Sequence, residues 1–185
     1  LACTRRARAR MSLKLGEEEA QVPCIFLFTG EGAHSSVTDI ASLKLSPSWS
    51  AVDTVVQRLG IALSLTAFLE NNLGVHTAPL SPVVTTVINI LNADRWRATG
   101  HVPHFAIGHS VGEFVAAYVA GLLSLPEAIR TAHILGKVGA DRSGEMVHTQ
   151  LTRGAVELWT QDESANASSL KIAAINGVAA SSATS

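Results

Sequence analysis

The sequence predicts an α/β fold with a mostly parallel sheet. Three observations point to it. Two short apolar runs, Cys-Ile-Phe-Leu-Phe at 24–28 and His-Phe-Ala-Ile at 104–107, have the length of buried strands and are bounded by Pro23 and Gly30 and by Pro103 and Gly108. The chain between and after them carries apolar residues at helical spacing. A serine flanked by glycines sits where the second run gives way to a helical one. Strands that alternate with helices pack as a parallel sheet covered by those helices.

Residues 1–20 read as a polar tail or linker, basic and then acidic, ending in Glu17, Glu18 and Glu19. After the first strand comes a glycine loop, Thr-Gly-Glu-Gly-Ala-His at 29–34. Over 50–59, Val52, Val55, Val56 and Leu59 form a helical stripe that Gly60 can end. A short helix is expected over 64–70. Ser81 and Pro82 then read as an N-cap and first helical residue. The helix they open, to about residue 97, shows Val84, Val87, Ile88 and Leu91 on one face. After the second strand, 113–123 is apolar enough to predict a buried helix. Ser124 and Glu127 have capping-box spacing, with Pro126 tolerated in the first turn of a helix to about residue 138. Strands are expected over 146–151 and 171–175, a short helix over 155–161, and a polar loop over 162–169.

The bulk numbers exclude several classes. The chain has 185 residues, 47% hydrophobic and 16% charged, which is a globular composition with room for a core. A net charge of −1 argues against a dedicated nucleic-acid binder. Arg5, Arg6, Arg8, Arg10 and Lys14 put five positive charges on residues 1–16, leaving −6 on the rest. That basic tail reads as a solvated linker or a targeting remnant, so the expected location is cytoplasmic or organellar, and not secreted. Cys3 and Cys24 have no metal-ligand spacing and make no disulfide framework, so no metal and a reduced compartment are expected. The longest apolar helical run, 114–123, is too short to span a bilayer.

Gly108, His109, Ser110, Val111 and Gly112 fit G-x-S-x-G between a strand and a helix, the arrangement of a nucleophile elbow. The turn is so sharp that side chains at Gly108 and Gly112 would clash, and it holds the Ser110 hydroxyl out at the end of the sheet. The N-terminus of the following helix points free N–H groups at the same spot, and that of Val111 can stabilise an oxyanion. The alternative is a plain tight turn. His109 is a poor base for its neighbour, and its simpler role is to pack behind the elbow.

The longer stretch Gly-His-Ser-Val-Gly-Glu at 108–113, followed by Phe-Val-Ala-Ala-Tyr-Val-Ala-Gly-Leu-Leu-Ser-Leu, resembles the acyltransferase domains of polyketide and fatty acid synthases, relatives of malonyl-CoA:acyl carrier protein transacylases. Residues 26–34 are similar to the family's first strand and loop, 96–103 to the segment feeding the nucleophile strand, and 173–177 to an A-x-N-G/A stretch of its small subdomain. The resemblance covers about 22–185. It implies an α/β-hydrolase-like core at 21–142 and the start of an inserted ferredoxin-like subdomain at 143–185, incomplete at its C-terminal end. It also implies a reaction. Ser110 takes an acyl group from acyl-CoA as an ester and passes it to the phosphopantetheine thiol of an acyl carrier protein. The oxyanion would be held by the backbone N–H groups of Glu31 and Val111. No bound cofactor is implied; acyl carrier protein, acyl-CoA and neighbouring synthase domains are the implied partners, with no nucleic acid and no membrane span.

The chain departs from the family pattern in three places. Glu31 and His34 stand where the family carries glutamines, and a carboxylate at Glu31 opposes a developing negative charge. Leu135 stands where malonyl-loading members carry an arginine for the extender carboxylate, so a neutral acyl group fits better; the other reading puts Leu135 in the core, on a stripe with Ala128 and Ala132. The family's histidine base lies beyond the small subdomain. His133 and His148 do not fall in its motif, so the base is expected outside this chain. Two other functions compete: an inert acyltransferase remnant or docking module, and a serine esterase or thioesterase.

Overall fold

The computed structural model describes residues 23–32, 39–62, 64–70, 79–141, 149, 151–160 and 171–172. Within them the order is β1 (Ile25–Phe28), α1 (Ile40–Leu43), α2 (Trp49–Arg58), α3 (Leu65–Glu70), α4 (Ser81–Ala98), β2 (Phe105–Gly108), α5 (Gly112–Val119), α6 (Leu125–Ala140) and α7 (Arg153–Thr160). The strands pair in parallel, Ile25 opposite Phe105 through Phe28 opposite Gly108. The result is the α/β class with a small parallel sheet.

The two strands are buried on one face only. Phe26 and Phe28 enter the core, whereas Ile25, Leu27, Phe105 and Ile107 are exposed. The expectation of buried strands is corrected to that extent. An apolar run shows what a strand can bury, and among the described residues only the side facing α5 has a partner layer.

The α2 stripe behaves as its spacing predicts. Val52 and Val56 are fully buried, Val55 and Leu59 partly so, and Gly60 ends the helix at φ 67°. Asp53 Oδ1 accepts from the Leu65 N–H at 2.6 Å, fixing where α3 starts, and the Ser64 hydroxyl accepts from the Ala67 N–H at 3.1 Å.

α4 is the central helix and corrects two expectations. Its N-cap is Leu80, so Ser81 and Pro82 are its first two helical residues and Ser81 does not cap it. Val84, Val87, Ile88 and Leu91 are buried, but so are Val83, Thr85, Thr86, Asn89 and Ile90. A helix buried on all sides belongs to the core rather than to its surface. It packs on α1, α5 and α6. Near its C-terminus Asp94 accepts a hydrogen bond from the Tyr118 hydroxyl of α5 at 2.7 Å and lies 3.5 Å from the Arg97 guanidinium.

α5 is shorter and less buried than its composition predicts. It stops at Val119, Gly121 turns the chain at φ 76°, and Leu122 is exposed. Of its residues only Gly112 and Val115 are buried; Phe114, Ala116, Tyr118 and Val119 are half-covered. α6 starts with a complete capping box: Ser124 N and Oγ donate to Glu127 Oε2 at 2.8 and 2.6 Å, and Ser124 Oγ accepts from the Glu127 N–H at 3.4 Å. These bonds hold the Glu127 carboxyl below the usual carboxylate range.

The chain divides into two compact units, Leu1–Ser143 and Gly144–Ser185. In the second, α7 has no buried residue and carries an Arg153–Glu157 ion pair at 2.6 Å. The helix expected over 155–161 is this one, begun two residues earlier. Thr149, Leu151, Lys171 and Ile172 lie in no strand; the rest of the two strands expected there, and the polar loop over 162–169, fall outside the described residues. Among the described residues no helix is long and apolar enough to cross a membrane, and no His, Cys, Asp and Glu side chains cluster as metal ligands.

Candidate active site

The sharp turn read in the sequence at 108–112 is present and unusually constrained. Ser110 has φ 53°. Among the described residues it is the one non-glycine residue at positive φ. The left-handed conformation costs an L-residue about 1–2 kcal/mol, so the surroundings must hold it there. Two glycines make that possible. A Cβ on Gly108 would run into the backbone of Gly112 and Glu113. One on Gly112 would lie 2.5 Å from the Phe28 carbonyl oxygen and 2.8 Å from that of Thr29. The turn is therefore folded back on itself and pressed against the end of β1. The His109 N–H donates to Phe28 O at 3.0 Å and continues the sheet ladder into it.

The glycine loop after β1 comes to the same place. A Cβ on Gly30 would lie 2.7 Å from His109 Nδ1, 3.0 Å from the His109 carbonyl oxygen and 3.0 Å from Ser110 Cβ. Gly30 is thus the contact between the loop and the serine. The exposed His109 lies against it. Next to it Glu31 is exposed, as is Ser110.

The helix N-terminus is partly used and partly free. Gly112, Glu113 and Phe114 N–H groups donate to the carbonyls of His109, Ser110 and Val111 at 2.9, 3.0 and 3.2 Å. No hydrogen bond among the described residues takes up the N–H of Val111 or of Glu31. Val111 is the buried N-cap of α5. Its side chain anchors the turn in the core while its N–H stays available beside Ser110.

Not every expected site residue joins this group. Leu135 is on α6 and 44% exposed. The buried stripe of that helix is Ala128, Ile129, Ala132 and Gly136. Gly136 sits so close to Pro79 that a Cβ would strike its carbonyl. The reading of Leu135 as a core residue is corrected: it stands one position off the stripe, with exposed Ile134 and Val138 nearby. His133, on the same helix, is half-buried, and desolvation first and then Lys137 lower its pKa. No hydrogen bond among the described residues joins the Ser110 hydroxyl to a histidine. His34, His148 and the stretch 173–177 lie outside the described residues.

Two residues of the site were not singled out in the sequence. Gly30 lay inside a quoted motif, and its role emerges only from a contact with residues about eighty positions away. Asn89 donates from Nδ2 to the Thr29 carbonyl at 3.0 Å. Its one signal in the sequence is a polar side chain within the apolar stretch 87–91.

Comparison with known proteins agrees with this geometry. The acyl transferase domain family matches residues 25–180. The chain is 31% identical over 122 residues to the non-reducing polyketide synthase ntnG of Nectria sp., covering 62% of this chain. It is 29% identical over 153 residues to the highly reducing polyketide synthase acrA of Aspergillus aculeatus, covering 78% of it. It is 34% identical over 124 residues to the reducing polyketide synthase PKS2 of Cochliobolus heterostrophus, covering 64% of it. In each case the match spans about 6% of the synthase. A family match over most of the chain, around a glycine-locked serine at the end of a parallel strand pair, settles membership: this chain belongs to the acyl transferase domain family.

Proposed function

We propose that this chain carries the nucleophile of an acyl-CoA:acyl carrier protein acyltransferase within a polyketide-type synthase. The observation that carries the reading is the strained Ser110 at the sheet end, packed on Gly30, with no hydrogen bond among the described residues taking up the N–H of Val111, next to it in sequence, or of Glu31, next after Gly30. Ser110 Oγ attacks the thioester carbonyl of acyl-CoA, its proton passes to a base, and the C–S bond breaks to release CoA as the thiol. The tetrahedral oxyanion formed on the way is held by the Val111 and Glu31 N–H groups. The phosphopantetheine thiol of the carrier protein then attacks the serine ester and restores Ser110. The base comes from outside the described residues. The core at 21–142 is α/β-hydrolase-like, and a ferredoxin-like small subdomain begins at 143.

By its place in the family pattern, Leu135 favours a neutral acyl group. It offers no cation to a free carboxylate, and exposed Ile134 and Val138 beside it are apolar. One observation favours the inert reading instead: the Glu31 side chain adds a carboxylate to the loop that packs on Ser110.

The test uses the full natural polypeptide with radiolabelled acetyl-CoA or malonyl-CoA and a phosphopantetheinylated carrier protein. Label should reach the carrier, faster from acetyl-CoA, and Ser110→Ala should stop it. Release as free acid would favour the esterase reading. A folded protein that forms no acyl-enzyme with either donor would favour the inert one.

A further inference from the structure

We infer that Asn89 is a positioning residue for the oxyanion loop, acting through the Thr29 carbonyl; the inference rests on Ser110 being the nucleophile. α4 is a core helix whose buried neighbours at this level are Ile88, Ile90 and Leu91. An amide among them is costly unless it is paired. Asn89 is 5% exposed, and its Nδ2 donates to Thr29 O at 3.0 Å, across 60 residues of sequence. The direction of that bond is fixed by chemistry, because a main-chain carbonyl can only accept.

Thr29 is the hinge between sheet and loop. Phe28 O is still part of the ladder, taken by the His109 N–H at 3.0 Å. Thr29 O is the next carbonyl and lies beyond the strand. It is seated against α5, 2.8 Å from where a Cβ of Gly112 would be. Asn89 donates to the same carbonyl. The peptide group is planar, so fixing the Thr29 carbonyl fixes the plane that leads into Gly30. Gly30 is the residue packed on Ser110, and the free Glu31 N–H follows it directly. One buried amide thus sets the loop's distance and angle to the serine, without touching substrate.

The test uses two variants of similar shape in the full natural polypeptide. Asn89→Leu removes the donor. Asn89→Asp replaces it with an acceptor that becomes a donor again when protonated. The readout is the rate at which a fluorophosphonate probe labels Ser110 in folded protein, as a function of pH and relative to wild type. Both variants should label about 10- to 100-fold more slowly at neutral pH, the scale of a misplacement of about 1 Å. The Asn89→Asp deficit should narrow as pH falls and its carboxyl protonates; the Asn89→Leu deficit should not. A merely structural role would lower the melting temperature and leave the labelling of folded protein unchanged, and that result overturns the inference. If wild type labels but transfers no acyl group, the transferase reading fails while the variant comparison still decides the role of Asn89. If folded wild type does not label, Ser110 is not an activated nucleophile and both fail.

Discussion

The two faces of the β1–β2 pair have nearly the same chemistry and opposite fates. On one, Phe26 and Phe28 are 2% and 3% exposed; on the other, Ile25 and Leu27 are 49% and 57% exposed. Their cross-strand partners Phe105 and Ile107 are exposed too. The difference is the layer above each face, not the strands. α5 packs on both strands on the first side. The elbow belongs to that packed side: Phe28 and Thr29 carbonyls press on Gly112, and Phe28 O takes the His109 N–H. Among the described residues, the strained serine is therefore held from the packed side of the sheet.

The largest effects are expected on the packed side, where backbone meets backbone at the elbow and where Phe26 enters the core. Gly108→Ala or Gly112→Ala puts a Cβ into main-chain atoms that cannot move aside, so about 3 kcal/mol, the upper end of ordinary overpacking, should be lost. Chemical denaturation reads the stability, and fluorophosphonate labelling should be lost along with it. Phe26→Ala should cost about 3–5 kcal/mol. Leu27→Ala, one residue away on the bare face, should stay within about 0.5 kcal/mol. Equal costs for the two would show that the bare face is covered in solution and would break the comparison.

A smaller effect is expected at the joint between α4 and α5. Tyr118→Phe removes the donor to buried Asp94 and should cost about 1–3 kcal/mol. Burial, chiefly, and the bond to Asp94 push the Tyr118 pKa up. A raised folded-state pKa stabilises below the unfolded value, about 10, and that contribution is lost as pH rises above it. The wild-type advantage over Tyr118→Phe should accordingly be flat near neutrality and shrink in alkali. Among the hydrogen-bonded joints the α6 cap matters least: Ser124→Ala should cost about 1 kcal/mol by thermal melts. Here the sign reverses. The Glu127 pKa is lowered, so its contribution is present above the ordinary carboxylate value and is lost as pH falls through the lowered one.

Local rules made the elbow, the capping box and the α2 stripe legible, because each depends on residues a few positions apart. What depends on distant packing was not. The α4 stripe showed one buried face, and neighbours from α1, α5 and α6 bury the others. Ala128 and Ala132 suggested a stripe through Leu135, but close approach to Pro79 requires the glycine at 136 to take the inner position. Gly30 and Asn89 entered the site through contacts about eighty and sixty residues away. Periodicity carries no record of such pairs.

The most direct test is peptide mass spectrometry of the full natural polypeptide after brief exposure to short acyl-CoA thioesters. If Ser110 is the acyl acceptor, the peptide bearing it gains the mass of the acyl group, loses it on addition of carrier thiol, and stays unmodified in Ser110→Ala. Folded wild-type protein whose Ser110 remains free, or whose acyl group sits on another residue, would contradict the central claim.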